Sequence, residues 1–232
     1  MAERGGRGRW VIVMVMLAAI YWAVAVRAPS GTRSLRTFDP DRLAQLELGM
    51  WQAYYAKEKF RLFRLLVVSL REQYHYSWQT AARAAYHLAR AAAVFGDASS
   101  DYASEYDRAL PDLEQGYTIA RDWTGATFDA SAVARAELAW WTARRDPASG
   151  TGAQKNAAVA TRMTELYALL YDAPRERVAE AARLRVDAAD LRDRGADAAD
   201  FDRDKRGVDW QGTSFLLHQS YRSLHGALDR SQ

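Results

Sequence analysis

The chain contains no cysteine, so neither disulfide cross-links nor thiolate chemistry is available to it on either side of a membrane. Histidine is scarce, at four residues. No Gly-x-Ser-x-Gly, phosphate loop or other short catalytic motif is present. No segment sustains period-two alternation of β-branched residues, which argues against strands, and no repeat of fixed 20–50-residue period emerges. Lysine is also rare: of 32 basic residues four are lysine, and the other 28 are arginine, which suits bidentate pairing with Asp and Glu on packed helices.

What is present begins with charge. The pI near 9.1 suggests an acidic partner until the charges are located. Residues 1–42 hold seven of the 32 basic residues and three of the 29 acidic ones, leaving 25 against 26 over 43–232. The basicity therefore belongs to the N-terminal end, where arginines can meet anionic headgroups, and the remainder gives no reason to expect nucleic-acid binding.

Residues 10–26, WVIVMVMLAAIYWAVAV, are uncharged and mostly aliphatic, with Arg9 before and Arg27 after. As one helix they would extend roughly 25 Å, slightly short of a hydrocarbon core of about 30 Å. Trp10, Tyr21 and Trp22 fit aromatic belts at the headgroups. A cleaved secretory signal is the competing reading, with Ala23-Val24-Ala25 or Val26-Arg27-Ala28 as cleavage sites. The length of the apolar run and its aromatics favour an uncleaved anchor. Arginines flank the run on both sides, but the short basic tail argues for an extracytoplasmic domain. The expected division is a basic N-terminal tail (1–9), a transmembrane signal anchor (10–26), a membrane-proximal linker (27–38) and a helical domain (39–232).

The linker carries Pro29 and Gly31 as breakers. Asp39-Pro40 reads as an N-cap followed by proline at the first helical position. Apolar residues from Leu43 to Leu70 then predict one long helix, ending near His75 with Ser77 capping the next. Further helices are expected through the alanine-rich stretch to Gly96, over 99–123 with an irregularity at Pro111, and after Asp129. Three more follow over 153–171, from Pro174 to Gly195, and near the C-terminus. The expected fold is all-α: an N-terminal single transmembrane helix followed by a bundle of six or seven helices.

Four residues are candidates for chemistry. Glu72 and His75 have the Glu-x-x-His spacing of di-iron carboxylate bundles, but no second such pair exists. Glu47 and Glu137 lie within apolar stripes, where a carboxylate must be paired, protonated or metal-bound. A buried Glu–Arg pair is the expected resolution, with Arg61, Arg64, Arg144 and Arg145 as partners. Asp200, Asp202 and Asp204 begin a calcium-loop pattern that Lys205 and Gln211 break. Ser214 and His218 stand four apart, a coincidental spacing. Adjacent Trp140 and Trp141 diverge by about 100° on a helix, so one of them faces something other than the common core.

These features lead to an expected membrane-anchored helical domain acting by protein–protein contact, as an accessory or scaffolding subunit without catalytic activity or cofactor. Its partners would be the lipid bilayer, through residues 10–26, and a protein or second copy met through Trp51, Trp140 and Trp141, with no nucleic acid. Two alternatives stand beside it. One is a metal-binding or enzymatic bundle using Glu47, Glu72, His75 and Glu137. The other is a small-molecule binding bundle whose pocket is lined by the Tyr/Trp clusters.

Overall fold

A computed structural model describes residues 4–96, 102–146, 149–197 and 207–229. Among these residues there are nine α-helices, one π-helical turn and no strand. The helices are α1 (Arg4–Tyr21), α2 (Pro40–Tyr55), α3 (Lys59–Tyr74), α4 (Trp78–Gly96), α5 (Tyr102–Thr124), α6 (Ala130–Arg145), α7 (Gly152–Tyr171), α8 (Arg175–Asp197) and α9 (Trp210–Asp229). The π turn, Trp22–Val26, follows α1 directly. The calcium-like pattern at 200–204 lies outside the described residues.

Local chemistry sets most boundaries. Asp39 caps α2 by accepting from the Asp41 and Arg42 N–H groups, with Pro40 at the first helical position. Asp129 does the same for α6 through Ser131 and Ala132. Ser77 Oγ accepts from Thr80 N at 3.1 Å to start α4. α3 stops at His75 and α7 at Asp172, both left-handed, with φ of 55° and 46°. Pro111 is tolerated inside α5 on its exposed face, where water can take the carbonyl left without a donor.

Two expectations need correcting. The long helix from Leu43 to Leu70 is divided into α2 and α3 by a turn at 56–58 with Lys57 left-handed, which raises the helix count after the linker to eight among the described residues. The apolar spacing loses phase there, jumping six residues from Tyr54 to Phe60, and Phe60 ends up 80% exposed. The spanning helix over 10–26 is likewise not what forms. α1 takes in Arg4, Arg7 and Arg9, while the apolar run splits at Trp22 into π geometry. The uncharged part of α1, from Trp10 to Tyr21, extends only about 18 Å. Among the described residues no helix is long and apolar enough to cross a membrane.

The eight helices α2–α9 form a closed ring. Every extensive contact among them joins sequence neighbours, and α2 meets α9 to complete the circuit. Connections of three residues, as at 56–58, 75–77 and 172–174, force neighbouring helices antiparallel. Spaced about 8–10 Å apart in a regular ring, eight axes would lie about 12 Å from its centre, about twice the radius of a helix with its side chains. Leu, Val and Ala side chains seal the seams between helices, but the middle needs longer ones. The α2–α9 seam is closed at its rim by Asp41, which accepts from Arg222 Nε at 2.7 Å and contacts His218 Nδ1 at 3.0 Å.

The linker covers one end of the ring. Arg33 stacks on Trp123 near the end of α5, at 4.2 Å. Gly31, with φ of 146°, passes so close to His75 that a Cβ would lie 2.4 Å from the ring. Arg36 donates to the carbonyl of Tyr171 at 3.1 Å and to that of Leu228 at 3.4 Å, the C-terminal ends of α7 and α9. Phe38 is buried edge-on against Tyr221 and His225. The linker thus touches the C-terminal ends of α3, α5, α7 and α9, which antiparallel packing brings to one side.

Arg222 and His218 hold the Asp41 carboxyl down from 3.8 to about 2. With a folded value below the unfolded one, its stabilising effect is present above pH 3.8 and disappears as pH falls toward 2. Asp41→Asn should therefore shift the midpoint of acid unfolding less steeply with pH in that window than the parent chain, measured by circular dichroism from pH 5 to 2.

Candidate functional site

At the ring's axis is a cavity of about 530 Å³, and all eight helices α2–α9 contribute to its wall. It runs from Tyr74 and Tyr171, beneath the linker, to Tyr54, Tyr55, Arg144, Arg145 and Asp193 at the opposite end. Asp193 keeps 39% of its side chain accessible there, which marks the end nearer to solvent. The sides are largely aromatic and aliphatic, including Trp51, Leu113, Trp140, Trp141 and Leu166. Phe95 and Trp141 lie 5.4 Å apart, Trp140 and Trp141 6.4 Å, and Tyr167 and Tyr171 5.9 Å.

Charged groups meet halfway along. Glu47 from α2, Glu137 from α6 and Arg185 from α8 each lie seven to ten residues into helices that start at the linker end. Arg185 Nη2 stands 2.5 Å from Glu47 Oε1, in full charge contact but out of hydrogen-bond alignment, so that oxygen and Arg185 Nε lack hydrogen-bond partners. Tyr221 donates to the other oxygen of Glu47. Arg185 Nη1 donates to Tyr167 OH at 3.3 Å. Tyr117 donates to Glu137 at 2.9 Å.

Burial dominates the ionisation of this cluster. It pushes the Glu137 carboxyl above its ordinary value, against the opposing pull of Arg185 and the N–H and O–H donors Tyr117, Trp140 and Trp141. Burial disfavours the Arg185 charge too, yet Glu47, Tyr167 and Glu137 more than offset this and hold the guanidinium well above its usual range. Burial raises Tyr74, Tyr117, Tyr167 and Tyr171, so all four hydroxyls stay protonated. Glu137 keeps accessible surface despite this depth because it faces the cavity.

Glu47 and Glu137 are brought together, with Arg185 rather than any of the four arginines expected from sequence. Arg61 pairs with Glu58 on the surface. Arg144 binds Asp193 at 2.7 Å and Tyr55 at 2.9 Å. Arg145 donates to the Phe95 carbonyl near the end of α4 and to Tyr54 OH at 2.8 Å. Arg64 is exposed. Glu72 and His75 are elsewhere: Glu72 pairs with Arg42 at 2.8 Å, both 43% exposed, and His75 is the left-handed end of α3. The cation that meets Glu47 is the Arg185 guanidinium. Among the described residues no group of three or more His, Cys, Asp or Glu could hold a metal ion. His218 turns to Asp41. Trp51, Trp140 and Trp141 all line the cavity, and Trp140 is only 7% exposed.

Arg185, Tyr117 and Tyr221 were missed in the sequence, although the signal was present. Arg185 continues the apolar stripe of Val178, Ala182 and Ala189, just as Glu47 does on α2. Tyr221 similarly falls four after Leu217. The chain matches no family model, no curated protein and no solved structure.

Removing Arg185 would leave the buried Glu47 carboxylate without its counter-charge. Arg185→Met should therefore destabilise the fold by about 3–5 kcal/mol in urea unfolding, and adding Glu47→Gln should recover a large part of that loss.

Proposed function

We propose that the helical ring is a binding protein for a small, largely apolar molecule bearing a polar group, held in the axial cavity. The observation that carries this reading is the cavity itself. Its volume falls within the ~300–1,000 Å³ usual for ligand sites. Its aromatic walls converge on a few polar groups at one level, Glu47, Glu137, Arg185 and their tyrosines. The three tryptophans that would anchor a protein contact are turned toward this space, which favours a ligand over a partner chain as their occupant.

The test is titration of the purified full-length chain with N-phenyl-1-naphthylamine, a neutral probe that brightens in apolar surroundings. A saturable signal near one equivalent is expected, and Ala92→Phe, which fills part of the cavity, should weaken it at least about tenfold. No saturable signal, or equal binding by Ala92→Phe, overturns the reading.

A second observation bears on location. Val13, Met14, Val15, Met16, Leu17, Ile20, Tyr21, Trp22 and Val24 are exposed along one continuous apolar segment, followed by the exposed Arg27. We infer that this segment is in contact with a lipid bilayer, with Arg27 at anionic headgroups and the ring on the extracytoplasmic side. The full chain should co-sediment with vesicles containing anionic lipid, and deletion of residues 1–26 should abolish this. A full chain that stays in the supernatant counts against bilayer contact.

A further inference from the structure

Buried carboxylates in this fold come with cations, with one exception. Asp112, 8% exposed, meets His87 at 2.9 Å and Arg90 at 3.1 Å. Glu47, 5% exposed, meets Arg185. At the mouth Asp193 is shared by Arg144 and Arg192, and Arg145 is spent on the α4 carbonyl end. Glu137 has no Lys, Arg or His within ion-pair distance among the described residues; the guanidinium nearest in charge terms, Arg185, is committed to Glu47.

The surroundings of Glu137 are nonetheless those of an anion. Tyr117 OH donates to it, and the indole N–H groups of Trp140 and Trp141 stand close enough to favour its ionised form. Trp140 Nε1 is buried and has no aligned hydrogen-bond partner of its own. Two carboxylates and one guanidinium leave the middle of the cavity one positive charge short when both acids are ionised. Tyr117, Trp140, Trp141 and Tyr171 line the same cavity, and aromatic rings attract cations where water is excluded.

Resting on the reading of the cavity as a ligand site, we propose that its ligand is an organic cation: an ammonium group seated against Glu137 and the surrounding aromatic faces, with an apolar body along the Phe95–Leu113–Trp141 wall. A carboxylate with donors behind it and no counter-ion in front accepts a positive charge. An anionic ligand would meet Glu47 and Glu137 together.

Binding is then linked to one proton. The groups that act on Glu137 are Tyr117 from α5, Trp140 and Trp141 from α6 and Arg185 from α8, while Glu47 from α2, Tyr74 from α3 and Tyr171 from α7 line the same cavity. The tyrosines and Arg185 keep their protons, and Glu47 is tied to Arg185 and Tyr221. Burial raises the Glu137 value in the empty cavity. A cation therefore expels the proton from Glu137 wherever it is still bound, and affinity falls as pH drops through that raised value.

Calorimetric titration of the full-length chain with three shape-matched probes tests this: phenethylammonium, 2-phenylethanol and phenylacetate. The ammonium should bind at least about tenfold more tightly than the alcohol at pH 7. Its affinity should fall as pH is lowered through the raised Glu137 value, and its heats in buffers of different ionisation enthalpy should report proton release as pH is lowered. Glu137→Gln should reduce ammonium binding to the level at which the same variant binds the alcohol. Equal or tighter binding of the alcohol or phenylacetate, or a cation preference that survives Glu137→Gln, overturns the proposal while leaving the cavity as a binding site. Failure of all three probes and of N-phenyl-1-naphthylamine overturns the binding reading itself. If Glu137→Gln does not fold, proton release by the parent chain decides alone: its absence at the lower pH overturns the proposal.

Discussion

Eight helices that each pack only on their sequence neighbours, and close through α2 against α9, enclose an axis too wide for facing aliphatic side chains to fill. Short antiparallel connections dictate this ring, and the character of the centre follows from it. Alanines on α4, α6 and α8 let neighbouring helices approach closely along the seams. The longest side chains available, Tyr, Trp, Arg and Glu, must reach inward. They do not fill the space completely, and the cavity is what remains.

Long side chains with polar tips bring a second constraint to the centre, because each tip needs a partner where there is little water. Arg185 is answered by Glu47 and Tyr167, and Glu47 by Arg185 and Tyr221. Glu137 receives donors from its own side of the ring but no cation. The network of Arg185, Glu47, Tyr221 and Tyr167 fixes the relative heights of α2, α7, α8 and α9, since sliding any one of them would strand a polar group.

The linker ties the exposed N-terminal segment to that interior. Arg33, Arg36 and Phe38 hold it across the end of the ring where α3, α5, α7 and α9 terminate. Tyr74 and Tyr171, at those same helix ends, form the floor of the cavity directly beneath. A segment that reads in the sequence as a polar spacer is thus a plug. Gly31 and His75 show why it went unread: a close approach between residues 44 apart leaves no local mark on either.

The sequence alone determined the helical class, through apolar spacings of three and four, and several boundaries, through Asp39-Pro40, Ser77, Gly96 and Asp129, because these signals act within a turn or two of the chain. It also marked Glu47 and Glu137 as carboxylates on apolar faces, and the same pattern at Arg185 was there to be read. Only the tertiary structure decided that Arg185 answers Glu47, that Glu72 and His75 stand apart from both, and that Trp51, Trp140 and Trp141 look inward. Periodicity states which face of a helix is buried but not which other face it meets. That choice was made by closing the ring, which brings residues more than a hundred positions apart to a common axis.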